Sequence, residues 1–183
     1  MKATSWKTLA TAMVMVLGLS IQAQALEITP ADAILSGDEN DTPAILAALA
    51  ELGYDLTSLY KSEDEKDIPP VESGDFSGSY ETTFDPAGDP DSFNIVYTGG
   101  PVIGPIAYLL VKDGNHVPAW YFFNLTGWNG TDVISGTDFW PKKGAISYAE
   151  IFGTPTAVPD GGSMAMLLGM ALMGLAGVRR YMA

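Results

Sequence analysis

Turn signals recur so regularly through the second half of this chain that they set the length of whatever lies between them. Asp85-Pro86-Ala87-Gly88-Asp89-Pro90, Gly99-Gly100-Pro101, Asp113-Gly114-Asn115, Asn129-Gly130, Gly136 and residues 141–144 carry glycine or proline where the backbone must bend. Between them lie strand-like runs at 78–84, 93–98, 106–112, 119–125, 132–135 and 145–152. In the first of these, Tyr80, Thr82 and Phe84 alternate onto one face. Short strands at roughly 8–15-residue intervals with such punctuation predict a mainly β fold, a small antiparallel β-sandwich or jelly-roll. The runs 106–112 and 119–125 should pair as a hairpin around Asp113-Gly114. No fixed-period repeat is present.

Upstream the pattern changes. Asp41 or Thr42 can cap a helix that has Pro43 in its first turn, where the missing N–H has no partner to lose. Ile45, Leu46, Leu49 and Leu52 recur at helical spacing, and Gly53 suits the position just past the end. Leu56, Leu59 and Tyr60 form a short second apolar element. Residues 61–75 read as an exposed, charged, proline-containing loop.

Both ends of the chain read as targeting segments, whose apolar residues do not count as core. Residues 1–25 have a basic start (Lys2, Lys7), an apolar centre at 9–21 and a small-residue ending, Ala23-Gln24-Ala25. This order predicts a signal peptide cleaved after Ala25, leaving Leu26 as the first mature residue. The expected organisation is a signal peptide at 1–25, a short helical and acidic N-terminal segment at 26–75, a β-sandwich body at 76–157 and a C-terminal tail at 158–183. Residues 26–159 hold five basic residues against 21 acidic ones, a formal charge of about −16. Such a surface repels nucleic acid and anionic membrane faces. The chain has no cysteine, which excludes disulfides, thiolate metal sites and cysteine nucleophiles together.

The tail has three parts: Val158-Pro159-Asp160-Gly161-Gly162-Ser163, an uncharged apolar run at 164–178, and Arg179-Arg180. It resembles a PEP-CTERM sorting tail, nearest to the Pro-Asp variant described as the VPDSG type. Aspartate stands for the glutamate of the commoner form, Gly161 for the variant's serine, and Tyr181-Met182-Ala183 extend past the arginines. The resemblance implies recognition by an exosortase, a membrane-embedded cysteine transpeptidase, and release to the outer surface or the extracellular polymeric matrix. The physics is compatible. A 164–178 helix would be roughly 22 Å long at 1.5 Å per residue, short for a hydrocarbon core about 30 Å thick. That suits a transmembrane helix serving as a temporary stop. Arg179 and Arg180 should hold the C-terminus in the cytoplasm and leave the motif outside.

The body carries a looser resemblance. Leu110-Val111-Lys112-Asp113-Gly114-Asn115, Ala119-Trp120-Tyr121-Phe122-Phe123, Trp128-Asn129-Gly130-Thr131-Asp132 and Phe139-Trp140-Pro141 look like the bodies of many uncharacterised proteins with this tail, and the likeness implies no activity.

Residue types with possible chemistry are few. Trp120, Trp128 and Trp140, with Tyr121 and Tyr148, can be read as a sugar-stacking platform or as sandwich core. Alternation prevents Trp120 and Phe122 from sharing a face with Tyr121 and Phe123, so at least one set should be core. Asp85, Asp89 and Asp91, and the run Asp38-Glu39-Asn40-Asp41, are oxygen-rich enough for Ca²⁺ but lack EF-hand spacing, and solvated turns are the competing reading. No other metal or cofactor is expected. Glu81 and Glu150 would serve glycan hydrolysis only if they faced each other across a cleft some 5–10 Å wide. His116, the one histidine, reads as a surface turn residue. Three Asn-x-Thr triplets begin at Asn40, Asn124 and Asn129 and carry no weight in a chain with this tail.

The leading expectation is thus an exported, non-enzymatic protein of the cell surface or a biofilm matrix, with an exosortase as its partner. Polysaccharide recognition through exposed tryptophans is the alternative, and a secreted glycan hydrolase the third.

Overall fold

Period-two alternation over short runs builds strands, and a computed structural model shows where they go. It describes residues 25–54, 56–64, 69–113, 116–141, 144–155 and 170. In order these form β1 (Leu26–Ile28), a 3-10 turn (Pro30–Asp32), β2 (Leu35–Gly37), α1 (Thr42–Glu51), β3 (Ser58–Glu63), β4 (Val71–Ser73), β5 (Tyr80–Asp85), β6 (Ser92–Tyr97), β7 (Ile103–Asp113), β8 (Trp120–Asn124), β9 (Ile134–Gly136) and β10 (Ile146–Pro155). A four-stranded sheet in the order β1-β9-β6-β5 packs on a six-stranded sheet in the order β2-β8-β7-β10-β3-β4. Neither closes into a barrel. The β7–β8 hairpin forms as expected, with Lys112 opposite Trp120 and Tyr108 opposite Asn124.

The core lies between the sheets. From one side come Tyr80, Phe84, Phe93, Ile95 and Ile134; from the other come Leu109, Val111, Phe123, Ala149 and Ile151. A second apolar layer lies on the far face of the larger sheet, where Ile45 and Leu49 of α1 cover Leu110, Trp120, Phe122 and Phe152. Both faces of Trp120–Asn124 are therefore covered, which explains a strand that is apolar at almost every position. The helix starts as its sequence demands: Asp41 caps it, accepting from the Ala44 amide at 3.3 Å. Gly53 takes φ +89 just beyond its end. Leu52, expected on the apolar stripe, is 63 % exposed because the helix ends at Glu51 and Leu52 turns away from the sheet.

Three expectations are corrected. The fold is not wholly antiparallel, because β1 pairs in parallel with β9. The division at residue 75 is not a structural boundary: β1 joins the smaller sheet, while β2, β3 and β4 join the larger one. Residues 61–75 are not simply a loop, since they hold the end of β3 and all of β4. Their charges suit strands all the same, because Lys61 and Glu63 sit on the outer face, next to Glu150 and Tyr148 of β10. Except for Ala25 and Met170, the signal peptide and the proposed transmembrane helix fall outside the described residues. Among the described residues, no helix is long and apolar enough to cross a membrane.

Candidate functional site

Trp120, Trp128 and Trp140 are 8 %, 5 % and 8 % exposed. They do not form a platform, because each is used for packing in a different place. Trp120 lies on Gly37, where an added Cβ would come within 2.7 Å of the indole. Trp128 donates from Nε1 to the Asp132 carbonyl at 2.7 Å, and its ring stands 5.9 Å from that of Tyr80. Trp140 donates to the Pro118 carbonyl at 2.6 Å. Its neighbours Tyr121 and Phe139 stand 5.1 and 5.8 Å away, ring centre to ring centre. Sugar stacking needs an open aromatic face, so the burial of all three rings favours the core reading over the platform.

One polar cluster sits where α1 begins. Lys61 and Lys112 are the two lysines among the described residues, and both approach the ring of Tyr148, at 4.3 and 5.9 Å. Lys112 also donates to Asn40 Oδ1 at 3.0 Å, and the Tyr148 and Thr42 hydroxyls are 3.2 Å apart. Lys61 pairs with Glu63, and Ser58 donates to buried Glu150 at 2.7 Å. Burial pushes the Glu150 carboxyl above its ordinary range; the Ser58 hydrogen bond and the Lys61 charge pull it back. Burial likewise pushes the Tyr148 phenol up to about 12 and lowers the Lys112 ammonium. The cluster ties helix to sheet. Glu81 is exposed on the outer face of the smaller sheet, so a hydrolytic pairing with Glu150, on the opposite outer face, is excluded by the sandwich between them.

At the β7–β8 turn, a cavity of about 400 Å³ is lined by His116, Val117, Tyr121, Asp138 and Trp140 between Pro30 and Pro141. His116 Nδ1 lies 2.6 Å from Oδ2 of buried Asp113. His116 is part-exposed at the turn, and its partner stands three residues earlier, at the last position of β7. Asp138 and Trp140 hold φ of 61° and 46°, a left-handed backbone rare outside glycine. Asp85, Asp89 and Asp91 lie nearby in a turn closed by its own backbone, with the Asp91 amide on the Asp85 carbonyl at 3.2 Å. Among the described residues, no three His, Cys, Asp or Glu side chains gather as a metal-ligand set.

The opposite end of the sandwich holds the start of β1 and the end of β10. The Leu26 amide donates to the Val133 carbonyl at 2.7 Å, and Ala25, the exposed residue of the expected cleavage site, precedes it. Tyr80 Oη donates to the Gly130 carbonyl at 2.8 Å and accepts from the Ile103 amide at 2.9 Å. Ile103 in turn lies opposite Pro155, the last residue of β10. Gly130 is required there: with φ +79, a Cβ would lie 2.2 Å from Val102 and 2.6 Å from the Ile103 carbonyl.

The chain continues from Pro155 into residues 157–182, and these match the family model for the VPDSG-CTERM motif. The tail is a VPDSG-CTERM sorting tail. The match takes in every expected tail residue: Val158, Pro159, Asp160, Gly161, Gly162, Ser163, Arg179 and Arg180. With Ala23, these lie outside the described residues. The match does not reach the sandwich, and neither a curated protein nor a solved structure matches this chain. A VPDSG-CTERM tail implies processing by an exosortase and points to export and surface localisation. What it is attached to is the central strand of the larger sheet, bonded on both sides by β7 and β3.

Proposed function

We propose that this chain is a non-catalytic protein of the cell surface or extracellular matrix, of the biofilm-associated kind, exported and then released by an exosortase acting on its tail. The VPDSG-CTERM match carries the reading. The basic start, the Ala23-Gln24-Ala25 ending and the acidic body support passage through an export pathway before sorting. Glu81 and Glu150 on opposite outer faces favour a body without hydrolytic activity. Burial of Trp120, Trp128 and Trp140 leaves polysaccharide recognition by those rings without support.

The test is fractionation of cells expressing the chain with an epitope in the 85–91 turn, with and without active exosortase. The reading expects a shortened protein at the surface or in the medium when the enzyme is active. It expects a full-length, membrane-associated protein when the enzyme is inactive. The same size and location in both would refute it.

A further inference from the structure

β1 is a three-residue strand at the edge of the smaller sheet, paired with β9. Its last residue, Ile28, is 5 % exposed and belongs to the core between the sheets. The first residues of a domain fray unless they are tied down, so a strand this short depends on what holds its two ends. At one end the Thr137 amide donates to the Ile28 carbonyl at 3.0 Å; at the other the Leu26 amide donates to the Val133 carbonyl at 2.7 Å. Beside the Leu26 amide lies a cavity of about 300 Å³, lined by Ala25, Leu26, Thr126, Gly127, Trp128 and Asp132.

The loop that supplies Asp132 is built to hold it in place. Asn129 Oδ1 accepts from the Thr131 and Asp132 amides, both at 2.8 Å, and the Trp128 indole donates to the Asp132 carbonyl. Asp132 is the one charged residue from Val117 to Thr137. Glu27, the neighbour of Leu26 on β1, is acidic too and exposed, whereas Ile134, Ser135 and Gly136 of β9 bring no charge. Lys61 and Lys112, the two lysines among the described residues, stand at Tyr148 on the larger sheet. The cavity wall therefore offers a carboxylate and a hydroxyl, groups that suit a cationic donor.

Cleavage after Ala25 supplies such a donor. One water is divided between the two new ends, leaving a carboxylate on Ala25 and an ammonium on Leu26. Ala25 departs with the leader and vacates its share of the cavity. The single N–H that bonds Val133 becomes an ammonium with three protons. One continues to the Val133 carbonyl, and the others are open to the space that Ala25 filled. We propose that this cavity is the seat of the mature N-terminus: the Leu26 ammonium is held there by the Val133 carbonyl and the Asp132 carboxylate, and the pair fastens β1 to the sandwich. This rests on the export reading of the preceding section, with cleavage after Ala25. The charge that anchors β1 does not exist in the precursor, so cleavage itself completes this edge of the fold.

The exported chain, purified from the expressing cells, is first sequenced from its N-terminus. Leu26 is expected as the first residue; any other would overturn the cleavage reading and the proposal with it. Acylation of the α-amine is then followed from about pH 6 to 10, around its ordinary titration range. Mass spectrometry of the N-terminal peptide separates it from the lysines. An ammonium paired with a carboxylate releases its proton at higher pH, so the native profile should lie about one pH unit above that of Asp132→Asn. At pH 7 that is about tenfold slower acylation of the native chain. A Gly-Ser insertion between Ala25 and Leu26 leaves the body unchanged and carries the amine about 7 Å away; its profile should match that of Asp132→Asn. Glu27→Gln, whose carboxylate is exposed on the strand, should shift the profile far less. If Asp132→Asn and the insertion keep the native profile, or Glu27→Gln shifts it as far as Asp132→Asn, the seat at Asp132 is overturned while the cleavage reading stands.

Discussion

Trp128 shows how a side chain read as a binding residue works as a structural one. Its ring packs against Tyr80, and its indole N–H closes the 128–132 turn on the Asp132 carbonyl. Trp128→Ala should destabilise the fold by about 3–5 kcal/mol, the range for emptying a large buried aromatic site. Urea denaturation checks this; a loss under about 1 kcal/mol would restore the exposed-ring reading. Glu150 makes a different prediction, in pH. Its carboxyl is raised in the folded state, mainly by burial, so the native protein holds that proton more tightly than the unfolded chain. The resulting stability is fully present below the unfolded value and is lost as pH rises through the raised one. Thermal denaturation of the native chain and Glu150→Gln across pH 4 to 8 isolates the effect. The native chain should lose stability relative to the variant as pH climbs above the ordinary glutamate range. A flat or rising difference would contradict the buried, proton-retaining site.

At the scale of the elements, legibility followed the strength of the pattern. The helix was readable because Asp41, Pro43 and Gly53 punctuate it and its apolar residues repeat. β5 was readable from alternation, and β6 to β10 from the turn signals between them. β1, β2 and β4 have three residues each, too short for a period to register, and they exist because neighbouring strands offer them hydrogen bonds. β3 was obscured by Lys61 and Glu63, whose partners lie far away in sequence on β10. The His116–Trp140 cavity was hidden for the same reason, since it joins residues from separate loops. α1 is also too short to be stable alone, so its stability should come from docking. Leu49→Ala, which empties a position 1 % exposed, should cost about 2–5 kcal/mol. Asp41→Ala, which removes the cap, should cost about 1 kcal/mol. Equal losses in urea titrations of the two variants would mean that capping, not docking, sustains the helix.

For the whole molecule, address and body are not independent parts. The VPDSG-CTERM tail begins two residues after the strand at the centre of the larger sheet. The measurement that bears most directly on this account is the intact mass of the exported protein from cells with and without active exosortase. The account predicts a mature chain lacking the apolar run and Arg179-Arg180 when the enzyme is active, and a chain extending to Ala183 when it is not. A chain extending to Ala183 in both would contradict it.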